Sequence, residues 1–501
     1  MCESEIKKSV GSVRIAIVDI GSNTVRLVVF DGRAELPVSI FNESVVCALG
    51  KGLGETGLLN PNGIKLAMRA LKRFIKLVRE LQIQNFVMLA TAAVRDAVDG
   101  ERFVERVKNK FGYSVQILSG AQEAELSAMG VISSFPKAYG LFADLGGGSL
   151  DIITRKDSSF CHNATFPLGH IRVAEDSQYD YKKAIKIIEK QLKKCQWLLK
   201  LKGGTLHAIG GSWRAIALLY IEQTKYPLHV LDNFTMNNSD ASAFTKLLGQ
   251  SSLKSFEKME RIEGSREQTM QYAAIVLNRL IKVTRPKEII FSGYGLREGQ
   301  FFKMLENSSN EIDPLINACN GFALRSGRFS INGVEIASWM FPIFAKETDN
   351  YHRLCKAAAL LSDIGWTEHP DYRAIHSFTR VLRFPIPGIT HKQRVMLAIA
   401  ILIRYKGNLS QYEVKTVKGL ISQKDQNRSQ IMGLALRFAH LISGGVPGIL
   451  PKTKLRIDDK LIQLIVENDS KSLISLSVKK LFLNLSNELK LEGRIEFLPK
   501  I

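Results

Sequence analysis

The chain has 501 residues, 45% hydrophobic and 23% charged, which suits a soluble globular protein but is too long for a single core, so two to four domains are expected. No window approaches the roughly 18 uninterrupted apolar residues of a membrane span, and Met1-Cys2-Glu3-Ser4-Glu5 lacks the apolar run of a signal peptide, so a cytoplasmic protein is expected. The formal net charge of +21 favours a polyanionic partner, yet no helix-turn-helix, zinc finger or aromatic-interleaved basic strand pattern points to specific nucleic-acid binding.

Residues 13 to about 130 alternate strand and helix patterns. The apolar run Ile15-Ala16-Ile17-Val18 reads as a buried strand that ends in Asp19 and turns on Gly21, Ser22, Asn23 and Thr24. Strands around Val28 to Phe30 and Val45 to Val46 follow, then a helix from Asn62 to Leu81. On that helix Lys65, Arg69, Arg73 and Lys76 lie opposite Ile64, Met68, Leu71, Ile75 and Val78, the pattern of a solvated basic face. A strand over Phe86 to Ala90, a helix near Phe103 to Lys110, a strand over Val115 to Leu118 and a helix from about Gln122 to Ser133 complete this half.

From Gly140 to about Phe302 the scheme restarts. Leu141-Phe142-Ala143 runs into Asp144 and turns on Gly146, Gly147, Gly148 and Ser149. A return strand over Asp151 to Ile153, a helix carrying Lys182, Lys186, Lys190 and Lys193, and a strand over Leu206 to Ile209 entering Gly210-Gly211 follow. A helix near Glu267 to Val283 and a strand over Glu288 to Phe291 close the repeat. This predicts a duplicated α/β architecture, with lobe I over 1–132 and lobe II over 133–308, each giving one turn to a shared cleft. Beyond about Asn310 the pattern is helical, with helices over 351–361, 373–382, 392–405 and 429–442 in a domain spanning 309–450. Lys454 to Ile457 and Leu461 to Val466 regain strand character in a small αβ element, 451–501. Six cysteines lie far apart with no C-x-x-C pair and read as reduced structural thiols.

The two strand-turn motifs look like a phosphate clamp. Glycine lets the backbone approach a ligand closely, so consecutive N–H groups point at phosphate oxygens. An aspartate at the strand end repels the anion unless a cation lies between them, so Asp19 and Asp144 read as ligands, direct or through water, for a magnesium-like ion. A single Asp-x-Gly turn is common in ordinary α/β proteins; the recurrence on two predicted strands is what points to function.

With what lies between them, these turns resemble the exopolyphosphatase / guanosine pentaphosphate phosphohydrolase family, a branch of the actin-like, sugar-kinase and heat-shock-chaperone ATPase superfamily. Val18 to Thr24 is similar to the family's first phosphate loop and Asp144 to Asp151 to its second. Ala90 to Ala97 is similar to its arginine segment, and Leu118 to Glu125 to its catalytic-glutamate segment. Ile209 to Ala215 and Phe291 to Gly299 also match, making six ordered blocks. The resemblance implies an actin-like, ribonuclease H-like two-lobe fold and hydrolysis of a terminal phosphoanhydride with Mg2+ as cofactor. It gives Glu123 the role of general base for water, although glutamate in a helix's first turn is also favourable for the helix itself. Glu125, two residues on, faces elsewhere. Arg95 would hold phosphate oxygens, against the plainer reading of a surface ion pair with Asp96. Asp151 stands where the family usually has glutamate; the resemblance gives it a catalytic and metal-binding role, with the shorter side chain putting direct metal contact there in doubt but not contact through water. Gly210 and Gly211 would help enclose the ligand.

The helical third resembles the HD-like region of longer family members, with Ser362 in place of the key histidine in Ala357 to Trp366. His352, His369, His376 and His391 lie nearby, but no intact His-Asp pair is present, so this region reads as a degenerate domain that guides substrate or forms a homodimer. The expected activity is removal of terminal orthophosphate from inorganic polyphosphate. The alternatives are pppGpp 5′-phosphohydrolase activity, an actin-like ATPase or kinase, and a non-catalytic sensor.

Overall fold

The computed structural model describes residues 14–32, 38–251, 267–305, 313–329 and 333–499. The chain divides into two compact units, residues 1–310 and 311–501. The boundary expected at 308/309 lies outside the described residues.

The first unit contains two sheets of related topology. In the first, β1 (Arg14–Ile20), β2 (Thr24–Asp31), β3 (Val38–Val46), β4 (Asn85–Ala90) and β5 (Val115–Ile117) run in the order β3-β2-β1-β4-β5. The first three strands pair antiparallel, and β1, β4 and β5 pair parallel. Strand alternation sorts β1: Ala16, Val18 and Ile20 enter the core under the helices Pro61–Glu80 and Gly100–Phe111, while Ile15 and Ile17 face the other side. Asp19 shares the face of Ile15 and Ile17.

The second sheet repeats this order around β6 (Gly140–Leu145). With β7 (Leu150–Lys156), β8 (Ser159–Phe166), β9 (Thr205–Ile209), β10 (Phe234–Asn237) and β11 (Glu288–Phe291) the order is β10-β11-β9-β6-β7-β8. Leu141, Ala143 and Leu145 of β6 and Leu150 and Ile152 of β7 enter the lobe core, with Trp213 and Ile275. The opposite faces carry Phe142 and Ile153 against Ala124, Ala128 and Val131. Asp144 and Asp151, cross-strand partners in the β6/β7 ladder, lie on that same face. The edge strand β8 and the short β10 were not expected from sequence; β8 is largely polar and exposed, so it lacks the alternation that marks a half-buried strand.

A division by chain order does not describe how these lobes pack. The helix Gly120–Ser134 places Leu126 in the cluster on β1 and Ala124, Ala128 and Val131 against β6 and β7. The helix Leu296–Met304, assigned by chain order to lobe II, sends Leu296 and Phe301 back onto Ile15, Ile17 and Phe30. The two helices meet through glycine: a Cβ on Gly130 would lie 2.2 Å from the carbonyl oxygen of Gly295, and one on Gly299 1.8 Å from that of Leu126. Each lobe is therefore completed by a helix from the other half of the chain.

The second unit is mainly helical, from Pro314–Ser326 to Gln423–Ser443. The helix His391–Arg404 runs buried along Val395 to Leu402. β12 (Thr453–Ile457), β13 (Leu461–Glu467) and β14 (Glu492–Leu498), with the helix Leu476–Leu489, form the terminal element; β14, unexpected from sequence, pairs parallel to β13. Among the described residues no helix is long and apolar enough to cross a membrane.

Candidate active site

The strand ends of β1 and β6 open into a cavity of about 420 Å³. Asp19, Gly21, Ser22, Asn23 and Thr24 line it from one lobe, and Asp144, Gly146, Gly147, Gly148 and Ser149 from the other. Gly210 and Gly211, at the end of β9, and Glu123 also reach it. The two turns touch: a Cβ on Gly147 would lie 3.0 Å from Ser22 Cβ, and one on Gly148 2.9 Å from Ser22 Oγ.

The orientation of the second turn follows from the helix behind it. The N–H groups of His170, Ile171 and Arg172, opening the helix His170–Asp176, donate to the carbonyls of Gly146 and Gly147. With those carbonyls drawn back, the amides of Ser22, Gly147 and Gly148 donate to no acceptor among the described residues. Unpaired amides lining a cavity are what an anion needs.

Glu123 sits in the first turn of its helix, whose start is fixed by a capping box between Ser119 and Gln122. Its side chain is buried, and Arg95 Nη1 donates to Glu123 Oε2 at 2.9 Å. The same guanidinium donates to the Leu118 carbonyl at 3.1 Å and meets Asp96 at 3.3 Å, so the surface-pair reading of Arg95 and a role beside Glu123 both describe it. Arg95 does not line the cavity; it backs the carboxylate that does. One helical turn beyond Glu123, Ser127 Oγ donates to Asp144 Oδ2.

Asp151 behaves differently from its cross-strand partner. It is 1% exposed and absent from the cavity wall. Ser149 Oγ donates to its Oδ2 at 2.5 Å, while Oδ1 makes no hydrogen bond of normal geometry among the described residues. Glu125 is exposed on another face of its helix.

Burial sets the electrostatics. It pushes the carboxyls of Asp19 and Asp144 above the usual aspartate range. It raises Asp151 to about 6, against the opposing pull of Ser149, Thr165 and Arg95. Glu123 is raised well above its ordinary value, first by burial, then by the charges of Asp151 and Asp144, with Arg95 pulling the other way.

The expected metal set is only partly brought together. Asp19 and Asp144 share the cavity, whereas Asp151 stands behind it, and no cluster of three metal-ligating groups occurs among the described residues. The carboxylates of Asp19 and Asp144 fit a hard divalent cation such as Mg2+, which takes one or two protein carboxylates and completes its shell with substrate oxygens and water. Sequence reasoning gave no role to Ser127, or to Arg26, Arg214 and Arg297, which line the same cavity; Arg297 Nε lies 3.9 Å from Asp19 Oδ2. Ser127 follows Glu123 by four residues, and Arg214 and Arg297 fall within the matched blocks, so the signals were present.

Comparison with known proteins bears on the same residues. Residues 28–308 match the Ppx/GppA phosphatase family, and residues 315–496 match the family described as exopolyphosphatase, C-terminal. The chain is 23% identical over 519 residues to Retrograde regulation protein 2 of Saccharomyces cerevisiae, covering 95% of this chain and 87% of that one. It is 32% identical over 152 residues to Exopolyphosphatase 2 of Mycobacterium tuberculosis, covering 28% of this chain and 47% of that enzyme. Among solved structures, an exopolyphosphatase from Cytophaga hutchinsonii shares the fold with a TM-score of 0.55 at 22% identity, over 59% of this chain and 99% of that one. The family match begins within β2, just after the first turn, takes in Arg95, Glu123 and the second strand-turn motif, and covers more than half of the sequence: the chain belongs to the Ppx/GppA phosphatase family.

Proposed function

We propose that the cleft hydrolyses a terminal phosphoanhydride bond and that inorganic polyphosphate is its preferred substrate. The observation that carries this reading is Glu123, a buried carboxylate of raised pKa on the wall of a cavity where the amides of Ser22, Gly147 and Gly148 have no acceptor among the described residues. The amides of Ser22, Gly147 and Gly148 bind the terminal phosphoryl oxygens. Glu123 takes a proton from water as the water oxygen forms the new bond to phosphorus. The bond from phosphorus to the bridging oxygen breaks, orthophosphate leaves, and the shortened chain keeps the bridging oxygen. Arg95 holds the carboxylate of Glu123 in place. Mg2+, held by Asp19 and Asp144, would supply charge neutralisation at the phosphoryl oxygens.

The net charge of +21 supports a polyanionic substrate. A pppGpp 5′-phosphohydrolase is the second reading, favoured by one feature: beyond the turns the cavity wall becomes apolar at Ala215, Leu218, Leu219 and Leu231, a surface suited to a nucleoside. Orthophosphate release from long-chain polyphosphate and from pppGpp, measured side by side with Mg2+, separates the two. Faster release from the polymer is expected. Negligible release from both substrates, with retained binding, would sink hydrolysis in favour of a sensor, a role in keeping with the name of the yeast relative, a regulation protein.

A further inference from the structure

The C-terminal unit encloses a second cavity, of about 910 Å³. Six cations line it: Arg328, Arg373, Arg404, Lys406, Arg437 and Lys480. Asp363 is the one carboxylate on the wall among the described residues, and Arg328 already grips it through two hydrogen bonds of 2.8 Å. Lys406, Arg437 and Lys480 form no ion pair among the described residues. Arg404 is held 3.7 Å from Asp363, and its Nε is buried without an acceptor among the described residues. Like charges gathered at a partly desolvated wall are costly unless an anion joins them.

A second observation comes from His440, which is 8% exposed and lines the same cavity. Ser362 Oγ donates its single proton to the Ala359 carbonyl at 2.6 Å. The Nε2 of His440, 2.8 Å from that hydroxyl, must then be the donor to it. This tautomer leaves the lone pair on Nδ1, and Nδ1 is buried with no hydrogen-bond partner among the described residues. Ser362 therefore sets the tautomer of a histidine 78 residues away in sequence. At the rim, Trp366 is 40% exposed, and its ring makes no aromatic or cation contact among the described residues. Its Nε1 donates to the Ser326 carbonyl, which holds the indole in place.

We propose that this cavity is a second ligand site and that it takes a nucleoside polyphosphate. The cations receive the phosphates and Trp366 offers a face for stacking; the unmatched Nδ1 of His440 lies in the wall behind them. Inorganic polyphosphate would satisfy the cations but has no use for the indole. A metal site is not supported, because Asp363 is engaged by Arg328 and the described residues form no group of three ligands.

The test uses the full-length chain, with mant-ATP and mant-GTP as probes followed by fluorescence anisotropy and inorganic tripolyphosphate as competitor. Charge reversal at the exposed Lys480 and half-buried Arg437, Arg437→Glu with Lys480→Glu, is expected to weaken one class of sites at least about tenfold. Lys480→Gln alone should move it in the same direction by less, and far-UV circular dichroism checks the fold. Nucleotide bound in the N-terminal cleft would survive these substitutions as a residual class, so failure here and failure of the proposed hydrolysis are distinguishable. Tripolyphosphate should compete at least about tenfold more weakly than the nucleotides. Unchanged isotherms in the double variant overturn the site, and equal competition by tripolyphosphate overturns the nucleoside.

Discussion

Arg95 Nη1 lies 2.9 Å from Glu123 Oε2, and this pair sets the poise of the proposed base. The guanidinium opposes burial, which would otherwise raise the carboxyl further. Glu123→Gln should lower kcat by about 100- to 10,000-fold with a small change in KM, since it removes proton transfer and keeps shape. Arg95→Met should lower kcat less and shift the acid limb of the kcat profile to higher pH, because the charge that favours ionised Glu123 is gone. An unshifted limb in that variant would show that Arg95 acts on substrate alone.

The same carboxyls make stability depend on pH. A folded carboxyl whose pKa is raised binds its proton more tightly than the unfolded chain does. The stability Asp151 contributes is complete below its ordinary value of 3.8 and is lost as pH rises through about 6. Without divalent ions, thermal stability should therefore decline between pH 4 and 7, and Asp151→Asn should flatten that decline. Activity runs the opposite way, falling as Glu123 becomes protonated. A stability curve unaffected by Asp151→Asn would place the titration elsewhere.

The strands that carry the clamp were legible because each is a continuous apolar run, buried on both faces, that carries a single acid near its end. The amphipathic helix Pro61–Glu80 was legible for a related reason, its apolar stripe at helical spacing. The two crossing helices were harder. Gly120–Ser134 is buried towards both lobes, so its pattern does not say which lobe owns it. The crossing depends on contacts between Gly130 and Gly295 and between Gly299 and Leu126, which no local pattern announces. At the site, motif position picked out Asp19, Glu123 and Asp144, all on the cavity wall. It gave no sign that Asp151 turns to Ser149, or that Ser362 meets His440, since both follow from packing around each side chain.

Asp19 and Asp144 raise the binding of Mg2+ as a stability question. Each is pushed above its ordinary pKa by burial, and the charge of Asp144 further raises Asp19. A cation between them would relieve that repulsion. At a free ion concentration 100 times Kd the folded chain should gain about 2.7 kcal/mol. Calorimetry should show a higher melting temperature with Mg2+ in the wild type and little change in Asp144→Asn. Equal shifts in both proteins would exclude this pair as the binding site.

The glycines in and behind the second turn divide into two roles. A Cβ on Gly169 would lie 2.3 Å from the Gly147 carbonyl, backbone that cannot move aside, so Gly169→Ala should destabilise the fold. A Cβ on Gly148 would lie 2.9 Å from Ser22 Oγ and 3.1 Å from Ala92 Cβ. Gly148→Ala should reduce kcat/KM at least about tenfold while the melting temperature falls by a few degrees, because 1 Å errors at a reacting group are costly. Adding Ser22→Gly removes the nearest clash and should restore part of kcat/KM. No rescue would mean that the loss does not arise where the two turns touch.

Asp151 offers the sharpest test of whether this cleft turns over. Asp144 and Asp151 are cross-strand partners on one face, yet Asp144 lines the cavity and Asp151 does not. Its carboxylate is held at 2.5 Å by Ser149, one residue inside the turn. Asp151→Glu adds one methylene, about 1.5 Å of reach, towards a cavity whose two acids already flank the phosphate turns. Overpacking at a buried position costs typically about 1–3 kcal/mol, so the variant should melt somewhat lower. Phosphate release should rise several-fold, since a further carboxylate then approaches the place where Asp19 and Asp144 would hold Mg2+. If release stays at the wild-type level while a melting shift shows that the longer side chain is accommodated, hydrolysis here does not draw on a carboxylate from this strand.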